Sequence, residues 1–132
     1  MTLRGQMVEG RWSDEVRAAL PDGEILFSRG RIDYQGSVAI IARLDDGRWL
    51  QYDWSYGSCS GCDQWEGERE TVIADEIRRG AAIMDAHTFQ DFLAGILHRK
   101  AEWLLGTGGY GSYEDHTGLE VEELLNRVKE DL

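Results

Sequence analysis

A single proline, two cysteines and no long apolar run set the outer limits of this chain. Two cysteines are too few for a secreted disulfide scaffold. The longest apolar run, Val38 to Ala42, suits a strand. It falls far short of the about 20 residues a membrane-spanning helix needs. The first residues, MTLRGQMVEG, hold no signal-peptide apolar core, so the expectation is a cytoplasmic protein with no membrane partner. Basic charge is scarce too, with 14 Lys and Arg against 25 Asp and Glu, a net charge of −11. Direct nucleic-acid binding is therefore disfavoured, because phosphate contacts need a positive footprint.

The acid excess is uneven. Up to Leu44, six basic and six acidic residues cancel; the remainder carries eight basic and nineteen acidic residues. Complementary fields steer association, so a partner protein with a basic surface is expected. The plainer alternative is that the charge keeps the protein soluble. The 132 residues suffice for one domain, 1–132, with a core that needs neither disulfide nor metal.

The densest passage is WLQYDWSYGSCSGCDQW, from Trp49 to Trp65, with three of five tryptophans, two of five tyrosines and both cysteines. Aromatic side chains are costly to leave wet, so this is either core or binding surface. Before it, Ser13 is placed to cap a helix whose first turn holds Asp14 and Glu15 and which Pro21 stops. A strand from Glu24 to about Ser28 puts Ile25 and Phe27 on one face, with Gly30 as the expected bulge before Ile32 and Tyr34.

A hairpin follows. Val38, Ile40, Ala42 and Leu44 alternate on the outgoing strand, and Leu50, Tyr52 and Trp54 on the return. A two-residue turn would put these sets on opposite faces. A three-residue Asp45-Asp46-Gly47 loop, with glycine left-handed, puts them on the same face and pairs Ile40 with Tyr52 and Val38 with Trp54. The three-residue loop is predicted. It leaves Trp49 on the other face, as the aromatic expected to be exposed.

Ser55 to Asp63 is too rich in small residues for regular structure, and Asp63 is positioned to cap a helix from about Gln64 to Arg79. Glu66, Glu68 and Glu70 occupy its first half, and Trp65, Val72, Ile73 and Ile77 its buried side. Ala81 to Met84 reads as a short edge strand. Thr88 to Asp91 reads as a capping-box variant, opening a helix carried by Phe89, Phe92, Leu93, Ile96, Leu97, Ala101 and Leu104. Thr117 to Glu120 is a capping box before a last helix with Val121, Leu124, Leu125 and Val128. Strands early and helices late give an α+β class: a small antiparallel sheet of three to four strands with a central hairpin, and about four helices mainly on one face.

Cys59 and Cys62 supply half a tetrahedral zinc site, which His87, His98 or His116 would have to complete by tertiary approach, or a second copy in a homodimer. A redox role is opposed by Asp63 and Glu66 beside the pair. The remaining reading is a tight loop with packed thiols. Gly106 to Gly111 matches Gly-x-Gly-x-x-Gly, but it follows a helix and holds no lysine, so it reads as a connector. The glutamates on helix faces read as solvated charge, or as rows that imitate phosphates.

Tyr52 to Glu66, together with Gln35-Gly36-Ser37, resembles a small group of phage and bacterial proteins. They share a tyrosine-rich strand that runs into YGSCSGCD and then a tryptophan-bearing helix. The resemblance spans about Tyr34 to Ile83. It implies an accessory, phage-associated setting and transfers no catalytic residue. The expected function is a non-enzymatic acidic binding protein that inhibits or modulates a host protein, of the anti-defence or nucleic-acid-mimic kind. Its binding residues would be Trp49, Tyr56, Ser58, Cys59, Cys62, Asp63, Glu66, Glu68 and Glu70. The alternative is a small metal- or nucleotide-binding module centred on Cys59 and Cys62, with zinc as the metal.

Overall fold

The computed structural model describes residues 2–31, 36–57, 65–95 and 114–132. In chain order these form β1 (Leu3–Arg4), α1 (Ser13–Ala19), β2 (Gly23–Arg31), β3 (Gly36–Leu44), β4 (Trp49–Tyr56), α2 (Glu70–Gly80), β5 (Ala82–Met84), α3 (Ala86–Gly95), β6 (Glu114–Gly118) and α4 (Val121–Glu130). The class is α+β. Among the described residues the sheet has six strands rather than three or four, in the order β1-β2-β3-β4-β5, with β6 also on β2. It is mixed, because β1 runs parallel to β2 while the other pairs are antiparallel.

The central hairpin has the predicted register. Ile40 faces Tyr52, Val38 faces Trp54 and Arg43 faces Trp49. The loop closes through Leu44 N–H to Arg48 O at 2.8 Å and Gly47 N–H to Leu44 O at 2.9 Å, with Gly47 at φ 91°. A side chain would be strained at that angle, which is why glycine ends this loop type. β5 is the predicted edge strand, paired with Trp49, Leu50 and Gln51.

The helices, however, cover both faces of the sheet, not mainly one. Val38, Ile40, Ala42, Leu50, Tyr52 and Trp54 pack with Val16 and Ala19 of α1 and with Ile73 and Ile77 of α2. On the reverse face Ala39, Ile41 and Trp49 pack with Phe89 and Leu93 of α3 and with Val121, Leu124 and Val128 of α4. β3 is apolar on both faces and so needs two covers, as central strands do.

In β2 the register shifts between Ile25 and Phe27, not at Gly30. The extra residue, Leu26, turns the strand over. Ile25 therefore lies in the α1/α2 core, while Leu26 and Phe27 lie in the α3/α4 core, instead of Ile25 and Phe27 sharing a face. The bulge carbonyl accepts Leu119 N–H at 2.7 Å, which seats the joint between β6 and α4. Gly118, at φ 93°, passes so close to the Leu26 carbonyl that a Cβ would collide with it.

Four helix starts differ from expectation. Ser13 is the first helical residue, and Trp12, left-handed at φ 77°, holds the N-cap position. Ser13 is buried instead, its Oγ accepting from Gly10 N–H and donating to Gly10 O, both at 2.9 Å. α2 begins at Glu70, because Trp65 to Gly67 form a turn with Gly67 left-handed at φ 82°. α3 begins at Ala86, before Thr88. Asp85 Oδ1 accepts Thr88 N–H at 2.8 Å, and that hydrogen bond holds the Asp85 carboxyl below its ordinary value. Thr117 lies in β6 and caps nothing; its hydroxyl donates to Gln6 Oε1 at 2.9 Å. Expectations for Asp63, for Ile32 and Tyr34, and for the helix beyond Gly95 lie outside the described residues.

Candidate functional site

Among the described residues of the aromatic passage, Trp49, Leu50, Tyr52, Trp54 and Trp65 are core. Trp49 is 0 % exposed, the reverse of the prediction. Its ring stacks on Phe89 with centroids 4.9 Å apart, and its Nε1–H donates to Asp131 Oδ2 at 3.0 Å. The same carboxylate accepts Arg43 Nε at 2.7 Å and Nη2 at 3.3 Å. That pairing holds the Asp131 carboxyl below its ordinary value. The face opposite the first core is covered, so the Trp49 side chain is enclosed between the sheet, α3 and α4.

The other indoles are likewise placed by the α1/α2 core. Trp54 Nε1–H donates to Arg11 O at 2.8 Å, and Trp65 Nε1–H to Glu76 Oε2 at 2.5 Å. Trp12 meets Trp65 edge-on at 5.9 Å, with the Arg11 guanidinium 4.8 Å from the Trp12 ring centre. Buried indoles with paired N–H groups are what a core requires. Tyr52 stacks on Trp54 at 5.9 Å. Burial first, then Asp53 and Glu76, push its phenol up to about 12, so it stays protonated at neutral pH. Tyr56 is half-buried, its ring lying across Gly36 and against Gly10. Trp65, Ile73 and Ile77 are buried as predicted, while Val72 is exposed.

Ser58, Cys59, Cys62 and Asp63 lie outside the described residues, as does His98. Among the described residues no three His, Cys, Asp or Glu side chains converge on a metal-binding geometry. No described helix is long and apolar enough to cross a membrane. Sequence reasoning passed over Arg29, which is 6 % exposed on β2, in register with Ala39 and His116. Burial lowers its pKa below the ordinary arginine value. An isolated arginine in a strand gives no local signal of that kind.

Glu66, Glu68 and Glu70 are all exposed. Glu66 lies in the turn and Glu68 in the extended link before α2, and Glu70 is the first residue of the helix, so the three do not run along its first half. Glu70 meets two acids of α1. Asp14 and Glu15, in the first turn of α1, line with it a groove of about 390 Å³ between the two helices. The floor is Ala18, Ala19, Ile73 and Ala74, and Arg78 closes the far end, its Nε donating to Ala19 O at 3.0 Å. Of Asp14, Glu15, Glu66, Glu68 and Glu70, only Glu66 has a cationic partner among the described residues, Arg11 at 3.6 Å.

A second cleft, of about 490 Å³, lies between residues 5–9 and β6 and is lined in part by Glu9, Arg17, Asp115 and His116. Its Arg17 is engaged with Gly5 O at 2.9 Å and Glu9 at 3.0 Å. His116 lies 5.1 Å from the Phe27 ring and 3.7 Å from Glu120. Comparison with protein-family models, curated proteins and solved structures gives no match to this chain.

Proposed function

We propose that this protein is a non-enzymatic acidic binding protein. It engages a protein partner of basic surface through the N-terminal ends of α1 and α2. The observation that carries the reading is the group of four exposed carboxylates there, Asp14, Glu15, Glu68 and Glu70, none of which forms an ion pair among the described residues. Uncompensated like charge repels itself and gains most when a basic surface meets it. With Trp49, Tyr52, Trp54 and Trp65 buried, the reading takes the acidic version of the binding surface over the Trp49–Tyr56–Cys59 edge. In the phage-associated setting that the YGSCSGCD resemblance implies, the partner is a protein of the bacterial cytoplasm. The carboxylates would occupy its anion-binding surface and so inhibit or modulate it.

The test begins with capture of partners from a bacterial lysate and continues with affinity measured on the purified pair. Changing Glu66, Glu68 and Glu70 together to Lys should weaken binding by at least about tenfold, since each exposed pair contributes about 0.2–1 kcal/mol and reversal adds repulsion. Rising salt should weaken it as well. Affinity indifferent to both would end the proposal. Stoichiometric zinc that is lost with Cys59→Ser would replace it with the metal-binding module.

A further inference from the structure

We infer that the groove between α1 and α2 is an anchor site for one long basic side chain, lysine or arginine, of the partner protein. The inference rests on the acidic binding function above and adds where on that surface the partner is held. Small side chains create the hollow. Ala18 and Ala19 on α1 and Ala74 on α2 leave about 390 Å³ open above Ile73, within the size range of ligand pockets. The lining is graded along its length. Asp14, Glu15 and Glu70 stand at one end, the apolar floor lies between, and Arg78 stands at the other.

That grading matches a long basic side chain lying along the groove. Such chains bury their aliphatic stems on apolar surface while the charged head stays polar. The head reaches the carboxylates and the stem covers the alanines. The partner's main chain then passes over Arg78, whose remaining N–H groups can donate to a carbonyl. Two of the guanidinium nitrogens are already engaged, Nε with Ala19 O at 3.0 Å and Nη1 with Asp75 at 3.4 Å, which fixes the group in place.

Acids in a first helical turn also complement the helix dipole, and Asp14, Glu15 and Glu70 do so. The dipole nevertheless amounts to only about half a positive charge at each helix end, against three full carboxylate charges. The lining of the groove keeps an excess of acid, three carboxylates against Arg78. None of the three carboxylates has a hydrogen bond or ion pair among the described residues, so all are available to an incoming cation.

The probe is a short neutral-flanked peptide, acetyl-Ala-Ala-Arg-Ala-Ala-amide, titrated by NMR at low ionic strength against its citrulline counterpart. Saturable shifts should centre on Ala18, Ala19, Ile73 and Ala74 with the arginine peptide and vanish with citrulline. Ala74→Trp fills the hollow and should weaken binding by at least about tenfold, as loss of an anchor does. Ala18→Trp, at an exposed position of the same groove, should do the same and tests the site independently of packing at residue 74. Glu122→Gln with Glu123→Gln on α4 should change nothing. Shifts spread equally over α4, or unchanged titration of both tryptophan variants, would overturn the assignment. If those variants also bind the captured partner normally while reversal of Glu66, Glu68 and Glu70 does not, the acidic binding function stands and the groove alone is wrong. If reversal too is without effect, both fall.

Discussion

Asp131→Ala is the most informative single change to the fold, because one carboxylate near the C-terminus ties α4 to the middle of the sheet. It accepts Arg43 Nε at 2.7 Å and the Trp49 indole N–H at 3.0 Å. Trp49 is fully buried, so losing the acceptor strands a polar group, which costs about 1–3 kcal/mol. The Arg43 side chain is 42 % exposed, so its ion pair adds only about 0.2–1 kcal/mol. The expected loss is about 1–4 kcal/mol, at roughly 3–6 °C in Tm per kcal/mol for this chain length. Urea melts followed by circular dichroism provide the measurement.

Asp45→Ala is the control. It removes the Arg4–Asp45 pair, whose side chains are 50 % and 49 % exposed, and should move the midpoint little. If Asp131→Ala behaves like Asp45→Ala, the clamp has no energetic role. The pH dependence has a definite sign. The Arg43 hydrogen bond, above the other causes, holds the folded Asp131 carboxyl below 3.8. Its contribution is therefore complete above that value and is lost as pH falls through the folded pKa. The stability gap between wild type and Asp131→Asn should shrink below that pH, and a gap that widens there contradicts the clamp.

Gly118→Ala should cost about 1–3 kcal/mol, because the residue is left-handed and a Cβ strikes the Leu26 carbonyl; an unchanged urea midpoint would show that the bulge joint yields freely. Trp49→Phe should reduce stability through the lost Asp131 hydrogen bond and leave partner affinity unchanged in the folded protein. Weakened binding at full stability would return Trp49 to the contact surface. Asp85→Ala should cost about 1 kcal/mol through the lost cap on α3, and a neutral urea midpoint would make Thr88 the true start of that helix.

The hairpin was legible because two independent signals agreed. Loop chemistry at Asp45-Asp46-Gly47 and the two apolar sets allow a single common register. The second face of the sheet was written in the same strand. Val38 to Ala42 is apolar without alternation, the pattern of a strand covered on both sides, and following only one alternating set left Trp49 in solvent. Likewise Ile25-Leu26-Phe27 is an unbroken apolar triplet, and the bulge resolves it by sending Ile25 one way and Phe27 the other. β6 gave no such sign. Glu114 to Gly118 holds no alternating apolar residues, and its place comes from main-chain pairing with β2. The indole partners Arg11, Glu76 and Asp131 lie from 11 to 82 residues away in sequence, so the satisfied state of the tryptophans emerges only in the fold. Of the acidic site, Glu70 was readable as exposed charge. Its convergence with Asp14 and Glu15 over an alanine floor depends on two helices side by side, which no local pattern encodes.

The affinity of the purified partner, measured by calorimetry at low and high ionic strength for wild type and for the Glu66→Lys, Glu68→Lys, Glu70→Lys triple variant, bears on the binding function most directly. An acidic binding protein shows tight association at low salt, steep weakening as salt rises, and a triple variant weaker by about tenfold or more. Equal affinities for both proteins at both ionic strengths would contradict it.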